Sequence, residues 1–220
     1  MRFLRVLTLG TCVAALVARP SAAQEGRQFK DAWFWGAKVG AIQFSSEASA
    51  DEHAPLIGGE WLITRTRGGL YVSFDQTYMT TKGGFAGRDA LGNPIVNMVS
   101  IANLRRFTAA AMVFPMQTPH LHPYAGLGFT LYQIGHANLD SGTPSPAQAD
   151  SIQQRKTTAS PVGIVGAQLR LLRLSVFAQA FASPTQTRFF LSNSQGSHTL
   201  MMGVEAGIRY NVGSAIDRNR

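Results

Sequence analysis

The chain has 220 residues, 20 lysines and arginines against 12 carboxylates, a formal charge of +8 and 45% hydrophobic residues. That length suits one domain, and a single cysteine, Cys12, excludes a disulfide framework. The basic surplus is scattered through turns and termini and forms no run, which excludes a nucleic-acid patch while suiting anionic lipid headgroups or plain solubility.

Residues 1–23 carry Arg2 and Arg5, then an apolar run over 6–17, then Ser21, Ala22 and Ala23 before Gln24. This order predicts a secretory signal peptide cleaved after Ala23, because the apolar run is too short to span a bilayer and small residues follow it. Lipidation at Cys12 would leave too short an apolar region. Cleavage removes Arg2, Arg5 and Arg19, taking the formal charge from +8 to +5, and leaves residues 24–220 without cysteine. Beyond residue 23 no uninterrupted apolar stretch approaches a membrane helix, so a chain that lives in a bilayer must cross it as a closed barrel, which satisfies every backbone hydrogen bond in hydrocarbon.

Period-two alternation then recurs along the chain. A first strand places Trp33, Trp35, Ala37, Val39 and Ala41 opposite Phe34, Gly36, Lys38 and Gly40. A second sets Ile57, Gly59, Trp61 and Ile63 against Gly58, Glu60, Leu62 and Thr64; a third sets Leu70, Val72, Phe74 and Tyr78 against Tyr71, Ser73, Asp75 and Thr77. The fourth, over about 99–115, is apolar on both sides at its lower end and leaves its register open, although Arg105 and Arg106 cannot both face inward. The fifth, 123–137, turns Ala125, Leu127, Phe129 and Leu131 outward and Tyr124, Gly126, Gly128, Thr130 and Tyr132 inward. Sixth and seventh strands, 162–171 and 173–182, share a very tight turn and carry Gln168, Arg170, Ser175 and Gln179 on their less apolar faces. The eighth, 200–212, alternates Leu200, Met202, Val204, Ala206, Ile208 and Tyr210 with Met201, Gly203, Glu205, Gly207, Arg209 and Asn211.

The connections alternate in length. Segments 45–54, 81–98, 138–160 and 183–199 are long and polar, whereas 65–69, 116–122 and 171–173 are short. Short turns on the side of both termini and long loops on the other are the layout of an outer-membrane barrel, with short periplasmic turns. An extra hairpin within 81–98 would make ten strands. Trp33, Trp35 and Tyr210 are expected near the periplasmic interface and Tyr78 near the outer one.

Through the signal segment, the stretch His122-Pro123-Tyr124-Ala125-Gly126-Leu127-Gly128-Phe129 and the closing Gly203-Val204-Glu205-Ala206-Gly207-Ile208-Arg209-Tyr210, the chain resembles the small outer-membrane β-barrel proteins of the OmpA/OmpX type. The resemblance implies an all-β, eight-stranded antiparallel up-and-down transmembrane barrel over 24–220. It implies outer-membrane lipids and the barrel-assembly machinery as partners, and a monomer. Members of such families commonly end on an aromatic residue; here Tyr210 is followed by residues 211–220, so Tyr210 would act as an internal version of that signal.

For function, Lys38, Glu60, Asp75, Glu205 and Arg209 are assigned to the lumen as a structural polar network, since an eight-stranded barrel is only wide enough for side chains and buried ions must be matched. A diffusion pore is disfavoured for the same reason. Gly126, Gly128, Gly203 and Gly207 are expected to make room for long lumen side chains rather than to bind phosphate. No catalytic residue, cofactor or metal ligand is assigned: His53, His120, His122 and His136 are scattered. Ser197 and His198 invite comparison with lipid A deacylase barrels, but neighbours on an extended strand point to opposite faces. Ser192 and Ser194 offer no acidic orienter. The sequence therefore favours a non-enzymatic barrel serving envelope integrity or presenting mobile outer loops, including 140–149, to a surface partner. The alternatives are a lipid-modifying outer-membrane enzyme and a soluble periplasmic barrel whose Trp35, Trp61, Val72 and Phe74 face a small apolar ligand.

Overall fold

A computed structural model describes residues 32–45, 52–65, 67–88, 93–116, 118, 120–140, 145–171, 173–185, 189–191 and 200–213. The predicted signal peptide and Ser192, Ser194, Ser197 and His198 lie outside them. Eight strands follow in chain order: β1 (Ala32–Phe44), β2 (Glu52–Arg65), β3 (Gly68–Arg88), β4 (Pro94–Val113), β5 (Leu121–Leu139), β6 (Thr157–Leu171), β7 (Leu174–Pro184) and β8 (Leu200–Gly213). Each pairs antiparallel with its chain neighbours, and β1 closes on β8 from Trp35↔Tyr210 to Gln43↔Met202. Closure leaves no unpaired lateral edge around the wall, which is what a sheet surrounded by hydrocarbon requires.

Burial alternates along the strands, with a change of phase on β4 between Ile101 and Leu104. On β1, Phe34, Lys38, Ile42 and Phe44 are buried while Trp35 and Val39 are exposed; on β8, Glu205 and Arg209 are buried while Val204 and Ile208 are exposed. Trp35 and Phe74 lie outside at 57% and 41% exposure, so they line no internal ligand cavity. The wall is apolar outside, with Leu127 at 76% and Phe129 at 70% exposure, and the lumen holds the ions. A water-soluble barrel would have the reverse arrangement.

Three strands run further than their greasy alternation suggests. β3 and β4 continue as a hairpin through 81–98, and β5 reaches Leu139, so this segment extends two strands instead of adding a pair. Above Tyr78 the outward face turns to Thr80, Lys82 and Ser100, which keep the ladder but not the hydrophobic signal. Lys82 pairs with Asp140 at 2.7 Å, and hydrogen bonds from Lys82 and Ser100 hold the Asp140 carboxyl below the usual carboxylate range.

The loop expected to be mobile over 140–149 instead leads into a helix, α1 (Pro146–Arg155). Ser145 caps it: its hydroxyl accepts from the Gln148 amide at 3.4 Å, and the Gln148 side chain accepts from the Ser145 amide at 2.9 Å. A proline opens the first turn, completing a capping-box start that composition alone hides. Gln148 also donates to Asn97 of β4 at 3.1 Å. α1 buries Ile152 in the same apolar cluster as Phe85, Val99, Ile101, Ile134, Phe189, Phe190 and Leu191, with the Phe85 and Phe190 rings 6.3 Å apart. The mouth of the barrel on the side of the long connections is thus capped by packed apolar side chains.

Candidate functional site: the charged lumen

The lumen is built from residues that face each other across ladders. Asp75 of β3 pairs in register with Arg106 of β4, and Gly58 of β2 stands opposite both Lys38 and Asp75. Gly36 stands opposite Glu60 and Arg209, Gly40 opposite Glu205, and Gly207 opposite Lys38 and Phe177. A Cβ at Gly58 would run into the Asp75 carboxylate, one at Gly36 would come within 2.9 Å of the Glu60 side chain, and one at Gly207 would come within 2.8 Å of the Phe177 ring. Large side chains therefore alternate with glycines around the circumference, which lets a narrow barrel hold six ionised groups. Gly126 and Gly203 leave room for Met112 and Phe181, whereas a Cβ at Gly128 would strike the β4 backbone. Gly58→Val should cost about 1–3 kcal/mol, the usual range for overpacking a filled interior, read as a lower urea midpoint of the folded barrel; an unchanged midpoint would refute this tight fit.

The structure brings Lys38, Glu60, Asp75, Glu205 and Arg209 together and adds Arg106. Three cations thus face three carboxylates. Lys38 Nζ lies 2.9 Å from Glu205 Oε2 and 3.0 Å from Asp75 Oδ1. Arg106 donates to Asp75 Oδ2 from Nε at 2.9 Å and from Nη2 at 2.7 Å, and Nη2 also contacts Glu205. Arg209 pairs with Glu60 through Nε and donates from Nη1 to Gln168 Oε1 at 2.8 Å. Neutral groups link the two clusters. Tyr71 accepts from Lys38 at 2.8 Å and donates to Glu60 at 3.1 Å, while Gln179 donates to Tyr71 at 3.0 Å and to Glu205 at 2.6 Å. Tyr124 donates to Gln179 Oε1 at 2.8 Å. The guanidinium groups of Arg106 and Arg209 also stack on Phe181 and Phe177, at 3.7 and 3.8 Å from the ring centroids.

In a site sealed from water each ion needs an opposite charge and further hydrogen bonds. The network supplies both, and its net charge is zero. Arg209 is 0% exposed and Lys38 1%, so neither is presented to a solute. Among the described residues no group of three histidine, cysteine or carboxylate side chains has a metal-binding arrangement. His122 is buried at the start of β5, on the short-turn side, while His53 and His136 lie on outward faces.

No family model and no curated protein matches this chain. Solved structures do, at the level of fold. Neisserial surface protein A (NspA) is 11% identical over 81% of this chain and 96% of its own, with a TM-score of 0.51. Ail, the attachment invasion locus protein of Yersinia pestis, solved with the heparin analogue sucrose octasulfate, is 11% identical over 83% of this chain and 99% of its own, with a TM-score of 0.49. The class is a closed, eight-stranded, all-antiparallel β-barrel of the kind seen in small outer-membrane proteins.

Proposed function

We propose that the chain is an integral protein of the bacterial outer membrane, exported with cleavage near Ala23. In this reading it is a non-enzymatic monomer that serves envelope integrity or meets a surface partner through its outer side. The observation that carries this reading is the inverted barrel: an apolar outer wall around a lumen filled by a neutral, hydrogen-bonded ion network. Such an interior favours a structural plug over a conduction path. The short turns and termini would face the periplasm, where Trp33, Trp35, Trp61 and Tyr210 form an aromatic girdle. Trp35 and Trp61 stack at 5.6 Å, Trp33 meets Trp61 edge-on at 5.6 Å, and Tyr210 pairs with Trp35 across the closing ladder. The packed cap around α1 gives the outer side a preformed surface. Membrane lipids and the barrel-assembly machinery complete the expected partners.

Cell fractionation tests the reading. The mature protein should stay with outer membranes through alkaline carbonate extraction and migrate differently before and after boiling in detergent gels. In planar bilayers it should give no steady conductance. Release into the soluble periplasm would overturn the membrane assignment, and a stable ohmic current would overturn the plug.

A further inference from the structure

On the outward face of β3, β4 and β5, side-chain character changes at one rung of the ladder. On the side of the short turns lie Phe74, Phe107 and Leu131, partners in register, exposed, with the two phenylalanine rings 4.8 Å apart. The next rung is Gln76, Arg105 and Gln133, again in register, and it continues to Thr157 of β6. Beyond it come Tyr78, an aromatic of the kind found at membrane interfaces, and then Thr80, Lys82, Ser100, His136 and Asn138, with Met98 and Val96 exposed higher on the hairpin. Arg105 therefore stands where the uninterrupted apolar wall ends and a mixed band, opened by Tyr78 and rich in polar residues, begins.

Its surroundings leave its charge available. Arg105 Nε is 3.4 Å from Gln76 Oε1, a neutral acceptor, and Gln76 is held in turn by donating to the Thr77 carbonyl at 3.2 Å. Among the described residues no carboxylate pairs with Arg105, whereas Lys82 above it is already engaged by Asp140. Inside the barrel every arginine and lysine has its counter-ion. A cation on the outer wall of a membrane barrel is tolerated only near the interface, where phosphate groups lie. A guanidinium presents a planar fork that matches phosphate oxygens.

We propose that Arg105, steadied by Gln76 and flanked by Gln133, binds the anionic phosphate headgroup of a lipid in the leaflet on the loop side. The acyl chains of that lipid lie against Phe74, Phe107 and Leu131. The proposal rests on the membrane reading above.

The test uses the folded mature protein in nanodiscs of phosphatidylcholine doped with phosphatidylglycerol, with retained lipid read by native mass spectrometry after release into detergent. Wild type should retain phosphatidylglycerol over phosphatidylcholine. Arg105→Gln should lose about fivefold of that preference, the effect expected of one cation at an anionic surface, whereas Lys82→Gln should keep it. Equal retention by wild type and Arg105→Gln would overturn the proposal, and so would displacement of the lipid by millimolar inorganic phosphate, which marks a free-anion site. Failure of the heat-shifted protein to enter nanodiscs at all would instead overturn the membrane reading, and the proposal with it.

Discussion

Glu205→Gln is expected to destabilise the folded barrel by about 3–5 kcal/mol, the usual cost of removing one partner from a buried ion pair. Glu205 faces two cations at once, Lys38 at 2.9 Å on one oxygen and Arg106 on the other, and it also accepts from Gln179 at 2.6 Å. The glutamine keeps the volume, so no cavity opens. What changes is charge: three cations are left facing two carboxylates in a lumen sealed from water. Adding Lys38→Met to Glu205→Gln restores neutrality and should recover part of the loss, a coupling that a double-mutant cycle measures directly. Urea unfolding of the detergent-folded protein, followed by tryptophan fluorescence and the gel shift, gives the numbers. All three tryptophans sit on the outer wall in the β1–β2 girdle, so fluorescence reports wall exposure independently of the lumen. A loss under about 1 kcal/mol for Glu205→Gln would mean that water reaches the network and screens it.

The ladder of outward and inward residues on β1, β2, β3, β5 and β8 was legible in the sequence because each strand alternates large apolar with small or charged residues over the length of the apolar wall. That alternation also carried the eight-strand count, through the segregation of short and long connections. Legibility failed where the outward face stopped being apolar. Above Tyr78 both faces of the β3–β4 hairpin contain polar residues, yet hydrogen-bonded pairing continues because an adjacent strand satisfies the backbone whatever the side chains are. α1 was hidden because 140–149 reads as loop by composition. The local signal was Ser145, Pro146 and Gln148 at capping-box spacing, which composition averages away. Within the lumen, five of six ions were named from sequence, and their charges did not balance: Lys38 and Arg209 against Glu60, Asp75 and Glu205. A sealed interior with one surplus carboxylate requires another cation. The short β4–β5 connection could have supplied it, since carrying the clear inward face of β5 across the ladder pairs Tyr132 with Arg106.

The reason β4 resisted reading is Asn103, and it sets the second large effect. Val99 and Ile101 face inward, but so do Leu104, Arg106 and Thr108, so the alternation changes phase between Ile101 and Leu104. Asn103 sits at that change with φ 61°, the one described residue other than glycine with positive φ, a region that asparagine tolerates better than most residues. On β3 the same irregularity appears as a register shift between Thr77 and Thr80. Had the phase run straight through, Arg105 would enter the lumen and Arg106 would meet lipid. Arg106→Met should therefore cost about 3–5 kcal/mol, because Asp75 loses both hydrogen bonds to its Oδ2 and Glu205 one of its two cations. Arg105→Met should change stability by no more than about 0.5 kcal/mol, as for most exposed positions. Asn103→Val should cost about 1–2 kcal/mol, the penalty of placing a β-branched residue, without asparagine's local hydrogen bonding, in left-handed backbone, while Asn103→Gly should be close to neutral. Urea midpoints of the four variants decide the matter as a set. Equal costs at 105 and 106, or the reverse order, would place the phase change elsewhere and remove Arg106 from the network.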